Sequence, residues 1–181
     1  DPYRNAETYN VAFILQGKAI GGENQAGLAG YILENIVNNR RDCRLYFSPP
    51  RDAVVDPISD SDKITAITEF RTAINSSSYW HCDSGYKRGY DKYNDVYRWI
   101  PLNGDSAGSY ARVDPWDVGA GYEKGMIKNV HGLAFNPSKE YRDTLYTLDI
   151  NPVFTETGFG TLLFGDLTGA GTGSSFSRQN V

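Results

Sequence analysis

The spacing of apolar residues changes period several times along the first 82 residues, and each change marks an expected element. Val11-Ala12-Phe13-Ile14-Leu15 is a short apolar run rich in β-formers and predicts a buried strand. The glycines between Gly17 and Gly22 predict a turn. From Gln25 the period lengthens: Leu28, Ile32 and Ile36 fall on one helical face, with Leu33 and Val37 beside it. That helix is expected to end near Asn38-Asn39. Cys43 to Phe47 predicts a second strand, stopped by Pro49-Pro50. Asp60 or Ser61 is placed to cap a second helix, whose apolar face is Ile64, Ile67, Phe70 and Ile74. Ser78 to Cys82 predicts a third strand. Strand, helix, strand, helix, strand is the alternation that builds a parallel-rich sheet with covering helices. The expected fold class is α/β, with residues 1–82 as a βαβαβ-like half.

Past residue 82 the pattern weakens. Tyr86 to Trp99 is dense in tyrosine and charge and holds few aliphatics, which predicts an irregular Tyr-rich hairpin or rim before Ile100-Pro101-Leu102. Helices are expected at Ala107–Arg112, Glu123–Leu133 and Pro137–Leu148, the last capped by Asn136 with Pro137 in its first turn. Thr161 to Phe164 predicts a final strand, and Gly169 to Ser175 a surface loop. No internal repeat is visible. At 181 residues, the whole chain is expected to form one compact domain.

Composition narrows the function classes. An apolar fraction of 40% with 13% aromatics is that of a globular chain. The net charge of −4 argues against a nucleic-acid binder, whose phosphate contacts need clustered Lys and Arg. The adjacent Arg40 and Arg41 read as the solvated end of a helix. Cys43 and Cys82 sit in apolar or aromatic stretches without a CxxC partner, so two buried free thiols are the default reading, with a disulfide left open. No apolar run approaches the ~20 residues of a membrane helix. No signal peptide is visible, and a reducing compartment during synthesis is the simplest inference. The chain opens on Asp1-Pro2 without an initiator Met and reads as a piece of something longer.

Several motifs invite chemistry. Gly104-Asp105-Ser106-Ala107-Gly108 satisfies G-x-S-x-G, the nucleophile elbow of α/β-hydrolases, and Asp114 or Asp117 and then His131 follow in the right order. Against it, all members fall between Ser106 and His131, no oxyanion segment lies upstream, and Pro115 ends the following helix early. His81 in an aromatic strand reads as a packed core residue. Asp91, Asn94 and Asp95 lack the spacing, the glycine and the closing Glu of a calcium loop and read as a solvated turn. Gly158-Phe159-Gly160 and Gly169-Ala170-Gly171-Thr172-Gly173 open no helix and precede no Lys-Ser/Thr, so they are not phosphate loops. No catalytic, cofactor-binding or metal-ligating residue is assigned, and no cofactor is expected. A carbohydrate-binding surface remains an alternative to the Ser106 esterase, to be judged by whether Trp80, Trp99 and Trp116 are exposed together.

The Tyr-rich segment continues without a break into the serine motif. Tyr90-Asp91-Lys92-Tyr93-Asn94-Asp95-Val96-Tyr97-Arg98-Trp99-Ile100-Pro101-Leu102 leads into Asn103-Gly104-Asp105-Ser106-Ala107-Gly108-Ser109-Tyr110-Ala111-Arg112-Val113-Asp114. An aromatic, proline-containing stretch, a small-residue turn, an Ala-Gly pair and Ala-Arg-x-Asp follow one another. This order resembles the tail sheath proteins of contractile-tailed bacteriophages. Ala120-Gly121-Tyr122-Glu123-Lys124-Gly125, Asp149-Ile150-Asn151-Pro152 and Gly158 to Thr168 resemble further elements of that family in order. Phe176 to Val181 resembles the lead-in to its Asn-Val-Arg-Arg-Leu motif. Gln179 departs from the pattern, standing where the family usually has an apolar residue.

The resemblance implies a core likened to a subtilisin-like α/β fold without catalytic residues. It implies a structural subunit, many copies of which form a helical tube around the tail tube, and whose contraction drives that tube through the host envelope. Its implied partners are other sheath copies, tail tube and baseplate, without nucleic acid or membrane insertion. Its implied place is the virion, after assembly in the host cytoplasm. The family's terminal arms are expected to be missing here, leaving a monomeric core fragment.

Overall fold

The computed structural model of the chain describes residues 2–18 and 24–179, so most of the turn expected at Gly17–Gly22 lies outside the described residues. Strand β1 (Phe13–Leu15) precedes helix α1 (Asn24–Ile32), which runs on through a π-helical turn (Leu33–Val37) into the short α2 (Asn38–Arg40). Strand β2 (Arg44–Phe47), helices α3 (Arg51–Val54) and α4 (Asp60–Thr72) and strand β3 (Trp80–Asp83) follow. β1, β2 and β3 pair in parallel, with Ile14 opposite Leu45 and Tyr46 opposite His81. Strands β4 (Tyr86–Asp91) and β5 (Val96–Pro101) form a regular antiparallel ladder outside that sheet. Helices α5 (Asn103–Ala111), α6 (Gly121–Lys124) and α7 (Lys139–Thr147) come next. The two-residue β6 (Ile150–Asn151) returns to the main sheet beside β3, giving the order β1-β2-β3-β6. A last hairpin joins β7 (Val153–Glu156) to β8 (Gly160–Leu163).

Both faces of the parallel sheet are covered, which is why its strands read as apolar runs. Leu45, Phe47, Trp80, Cys82 and Ile150 point to one face, packing with Leu33 and Val37 before α2, Ile67 and Phe70 of α4, and Leu145 of α7. Tyr46 points to the other face, where Leu102, Ala107 and Tyr110 of the α5 region meet Val153 and Leu163. Cys43 and Cys82 are buried and free.

Several expectations are corrected. β1 is an edge strand, with Leu15 47% exposed, because no strand covers its outer side among the described residues. The wide turn, closed by Asn38 N–H to the Leu33 carbonyl, brings Leu33, Ile36 and Val37 inward together and leaves Leu28 exposed. Ser59, not Asp60 or Ser61, caps α4, its Oγ accepting from Asp62 N–H at 3.1 Å. Ser138 caps α7, while the Asn136 carboxamide accepts from Thr155 N–H across the β7 edge. Arg40 is not a solvated helix end: its side chain is buried, donating to both oxygens of Asp42 and to the carbonyls of Tyr3 and Tyr9. The helix expected over Glu123–Leu133 is only α6. Beyond it Ile127 N–H donates to the Thr161 carbonyl and Leu163 N–H to the Gly125 carbonyl, so the segment joins strand backbone instead. Asn129, at φ 56°, breaks helical continuity there.

Gly169 was read as part of a surface loop, yet it is buried under the Trp80 indole, and a Cβ there would overlap the ring. Gly169→Ala is predicted to lower stability by about 1–3 kcal/mol through overpacking. Gly173→Ala, with open space around the new methyl, is expected to change it by less than about 0.5 kcal/mol. Urea unfolding of the two variants compares them directly.

Candidate functional site

β5 ends at Pro101 and α5 begins at Asn103, so the tyrosine hairpin and the G-x-S-x-G segment meet at one strand-to-helix junction. Ser106 is not at that junction. It lies inside α5, fully buried, its N–H donating to the Leu102 carbonyl and its Oγ meeting no hydrogen-bond partner among the described residues. A nucleophile elbow needs the serine on the strained turn and exposed. The positive φ angles of non-glycine described residues fall instead at Arg41, Asp95, Asn129 and Asp149. The other members are dispersed. His131 is exposed and packs its ring 5.3 Å from Tyr97 and 6.4 Å from Tyr90. Asp117 pairs with Lys124, and Asp114 is exposed. The serine, acid and base that chain order aligned are not brought together.

The buried polar groups form a different constellation. His81 on β3 accepts at Nδ1 from the Asn151 carboxamide, 3.1 Å away, and from the Gln179 carboxamide. Gln179 Oε1 in turn accepts from Arg44 Nη1 at 3.0 Å and from the Tyr46 hydroxyl at 3.2 Å. The departure from the family pattern at Gln179 therefore places a polar bracket over two neighbouring strands. Nearby, Asp83 accepts from Ser48 Oγ at 2.8 Å and from Gly85 N–H at 2.9 Å, and Ser48 Oγ accepts from Asn103 N–H at 3.0 Å. This chain of bonds ties β3 and β2 to the start of α5. Burial, helped by the Arg44 charge, pulls His81 down from 6.5 to about 3. Burial pushes Asp83 up from 3.8 to about 8, against the bonds from Gly85 and Ser48. His81 is held neutral, Asp83 is pushed towards its protonated form, and the partners of both are structural.

The hairpin is built in the opposite sense, with an anchored base and an exposed tip. Tyr86 is buried in the main core, and Lys87 reaches Asp105 at 2.7 Å and the Lys128 carbonyl at 3.1 Å. Backbone bonds from Arg88 to Gly132, His131 to Arg88 and Ala134 to Tyr86 flank β4 on its other side. Towards the tip, the rings of opposed Tyr90 and Tyr97 meet at a tilt of 50° with centroids 5.2 Å apart, and the Arg88 guanidinium lies 4.5 Å from the Tyr97 ring. The turn closes on Asp91, whose carboxylate accepts from Asn94 and Tyr93 N–H, Asn94 Nδ2 and Arg98 Nε. The Asn94 bond first, then Arg98, holds Asp91 at about 2. Tyr93 crowns the turn at 87% exposure. Asp91, Asn94 and Asp95 thus serve a turn, and among the described residues no group of three or more His, Cys, Asp or Glu is placed to hold a metal ion.

The tryptophans make no shared platform. Trp80 is fully buried, Trp99 is partly buried against the core, and Trp116 stands 76% exposed. The carbohydrate-binding alternative loses its supporting feature. No sequence signal could have shown the bracket around His81, because Gln179 lies 98 residues away.

The fold is shared with a solved contractile sheath structure. A sheath complex of an extracellular contractile injection system, in its contracted state, superposes with a TM-score of 0.66 at 17% identity, over 92% of this chain and 42% of that one. The sequence is more specific. It is 38% identical over 168 residues to the tail sheath protein of Vibrio phage KVP40, covering 83% of this chain and 25% of that protein. It is 36% identical over 197 aligned positions to the tail sheath protein of Enterobacteria phage T4, covering 100% of this chain and 29% of the relative. The tail sheath protein of Salmonella phage ViI is 34% identical over 154 residues, covering 82% and 24%. No family model matches the chain. The chain belongs to the tail sheath protein family and spans between 24% and 29% of the length of these relatives.

The two buried groups set opposite pH slopes. His81 has a lowered folded value, so its contribution is present above 6.5 and is lost as pH falls towards 3. Asp83 has a raised folded value, so its contribution is full below 3.8 and is lost as pH rises through about 8. The slopes oppose each other between 3.8 and 6.5, and above 6.5 Asp83 acts alone. Urea unfolding is expected to show stability falling from about pH 6.5 to about pH 8.5, and Asp83→Asn is expected to flatten that limb. A wild-type limb that is already flat contradicts this assignment.

Proposed function

We propose that this chain is the core of a structural subunit of a bacteriophage contractile tail sheath. Many copies surround the tail tube in a helical array, and contraction drives the tube through the host envelope. The observation that carries this reading is the match to tail sheath proteins along most or all of the chain. Interior chemistry supports it: Ser106 is buried, and His81 and Asp83 are engaged by structural partners. A rigid core whose interior groups are packed or hydrogen-bonded suits subunits that rearrange as bodies about their interfaces.

In this reading the partners are other sheath copies, the tail tube and the baseplate. The protein resides in the virion tail after assembly in the host cytoplasm. Its core is likened to a subtilisin-like fold without catalytic function, in keeping with a parallel sheet covered on both faces. Residues 1–181 act as one domain, since Leu33, Ile67, Leu145 and Ile150 share a single apolar cluster. The isolated segment, which spans between 24% and 29% of the length of its relatives, is expected to be monomeric.

The Tyr93 tip gives a handle for the test. Antibody raised against the Asp91–Asp95 turn, gold-labelled and applied to virions, is expected to decorate the tail wall along its length. Label confined to capsid or fibres contradicts the sheath reading.

A further inference from the structure

The loop between α3 and α4 carries a side chain that the fold does not use. Ile58 is 99% exposed. A single exposed apolar residue is ordinary, but this one is held in place. Pro57 precedes it, the Ser59 cap follows it, and Arg51 pairs with Asp56 at 3.1 Å on the same loop. Asp52, Asp56, Asp60 and Asp62 flank it along the chain, all exposed; Asp56 pairs with Arg51 and Asp60 with Lys63 at 3.0 Å, and the loop keeps a net negative charge. The result is a preorganised apolar knob in an acidic collar.

A recess of the opposite character lies on the outer face of α7. It has a volume of about 540 Å³, and its walls include Tyr146 and Phe164, which are 42% and 48% exposed. Its rim carries Lys139, Arg142 and Arg178. Arg178 is held by Asp166 and by the Tyr146 hydroxyl, and Arg142 stacks 4.2 Å from the Phe154 ring. Lys139 has no acidic partner within ion-pair distance among the described residues, and Asp143 is the one further carboxylate on the lining. Apolar walls under a cationic rim match an isoleucine in an aspartate collar in both shape and charge.

Helix α7 presents two different faces. Its inner residues Tyr141, Leu145 and Leu148 meet the core shared with α4, and its outer residues line the recess. We propose that the Asp56–Asp62 loop of one subunit docks into the Lys139–Tyr146–Phe164 recess of a second copy. The surfaces differ, so the contact is heterologous and propagates into a ring or helix. The proposal rests on the sheath reading and names one of its interfaces. Taken alone the contact is small and weak, and it acts through repetition in the array.

The test places Ile58→Cys and Phe164→Cys together in the complete sheath subunit, where Cys43 and Cys82 are buried and do not compete. Oxidation of assembled particles is expected to give dimers and higher cross-linked species, at least about tenfold above dissociated subunits at equal concentration. Assembly without the cross-link, or a cross-link closed within one polypeptide, overturns the contact and leaves the sheath reading standing. Failure of the wild-type subunit to assemble removes both. A second arm avoids thiols. Asp62→Lys and Lys139→Glu are each expected to slow assembly roughly tenfold at low salt, and their combination to restore it. Equal loss in the combined variant overturns the pairing.

Discussion

The carboxamide of Asn151 holds the fold together at its least regular point. β6 is only two residues long and cannot secure itself to β3 by ladder bonds alone. Asn151 is fully buried, and the two hydrogens of its Nδ2 are shared among the Cys82 carbonyl at 3.1 Å, the Leu167 carbonyl at 2.9 Å and His81 Nδ1 at 3.1 Å. Its Oδ1 accepts from Leu167 N–H at 2.7 Å. One side chain therefore satisfies backbone from β3 and from the segment beyond β8, and it fixes the acceptor role of His81. Gly165 follows from this, because a Cβ there would overlap Asn151 Oδ1. The approach to β6 is clamped as well: Arg71 of α4 donates to the Leu148 carbonyl, pairs with the buried Asp149 at 2.9 Å and lies 4.8 Å from the Trp80 ring.

From this interior the division of labour in the molecule follows. Groups with catalytic-looking identities are spent on structure: His81 on two carboxamides, Asp83 on Ser48 and Gly85, and Ser106 on the packed face of α5. Features that serve no interior purpose are outside, namely the hairpin tip at Tyr93 and the Ile58 knob. The sheath role proposed above, in which subunits exchange neighbours as bodies, would call for that arrangement. Soft interiors would absorb the strain that interfaces must transmit.

The sequence made the elements with clear period legible. β2, β3 and α4 stand where apolar runs and the Ile64–Ile74 face placed them, since burial on both sides of the sheet writes itself into composition. β6 was illegible, because two residues carry no period. The Glu123–Leu133 run misled because Ile127, Val130 and Leu133 are spaced like a helix face, while Gly125 and the left-handed Asn129 deny a helix. Arg40 read as solvated because its partners, the Tyr3 and Tyr9 carbonyls, are backbone groups far upstream. The site was legible through long ordered resemblance and not through the five-residue serine motif. Local pattern does not say which way a side chain points, and Ser106 points inward.

The central claim is that buried polar groups, led by Asn151, hold the fold together. Equilibrium urea unfolding of Asn151→Ala tests it most directly. The variant leaves Leu167 N–H and two carbonyls unpaired inside the protein, so the account predicts a loss of at least about 3 kcal/mol. Asn151→Asp should lose about as much, since it keeps the acceptor for Leu167 but sets a carboxylate against the Cys82 and Leu167 carbonyls. Stability within about 0.5 kcal/mol of wild type for either variant would contradict the account.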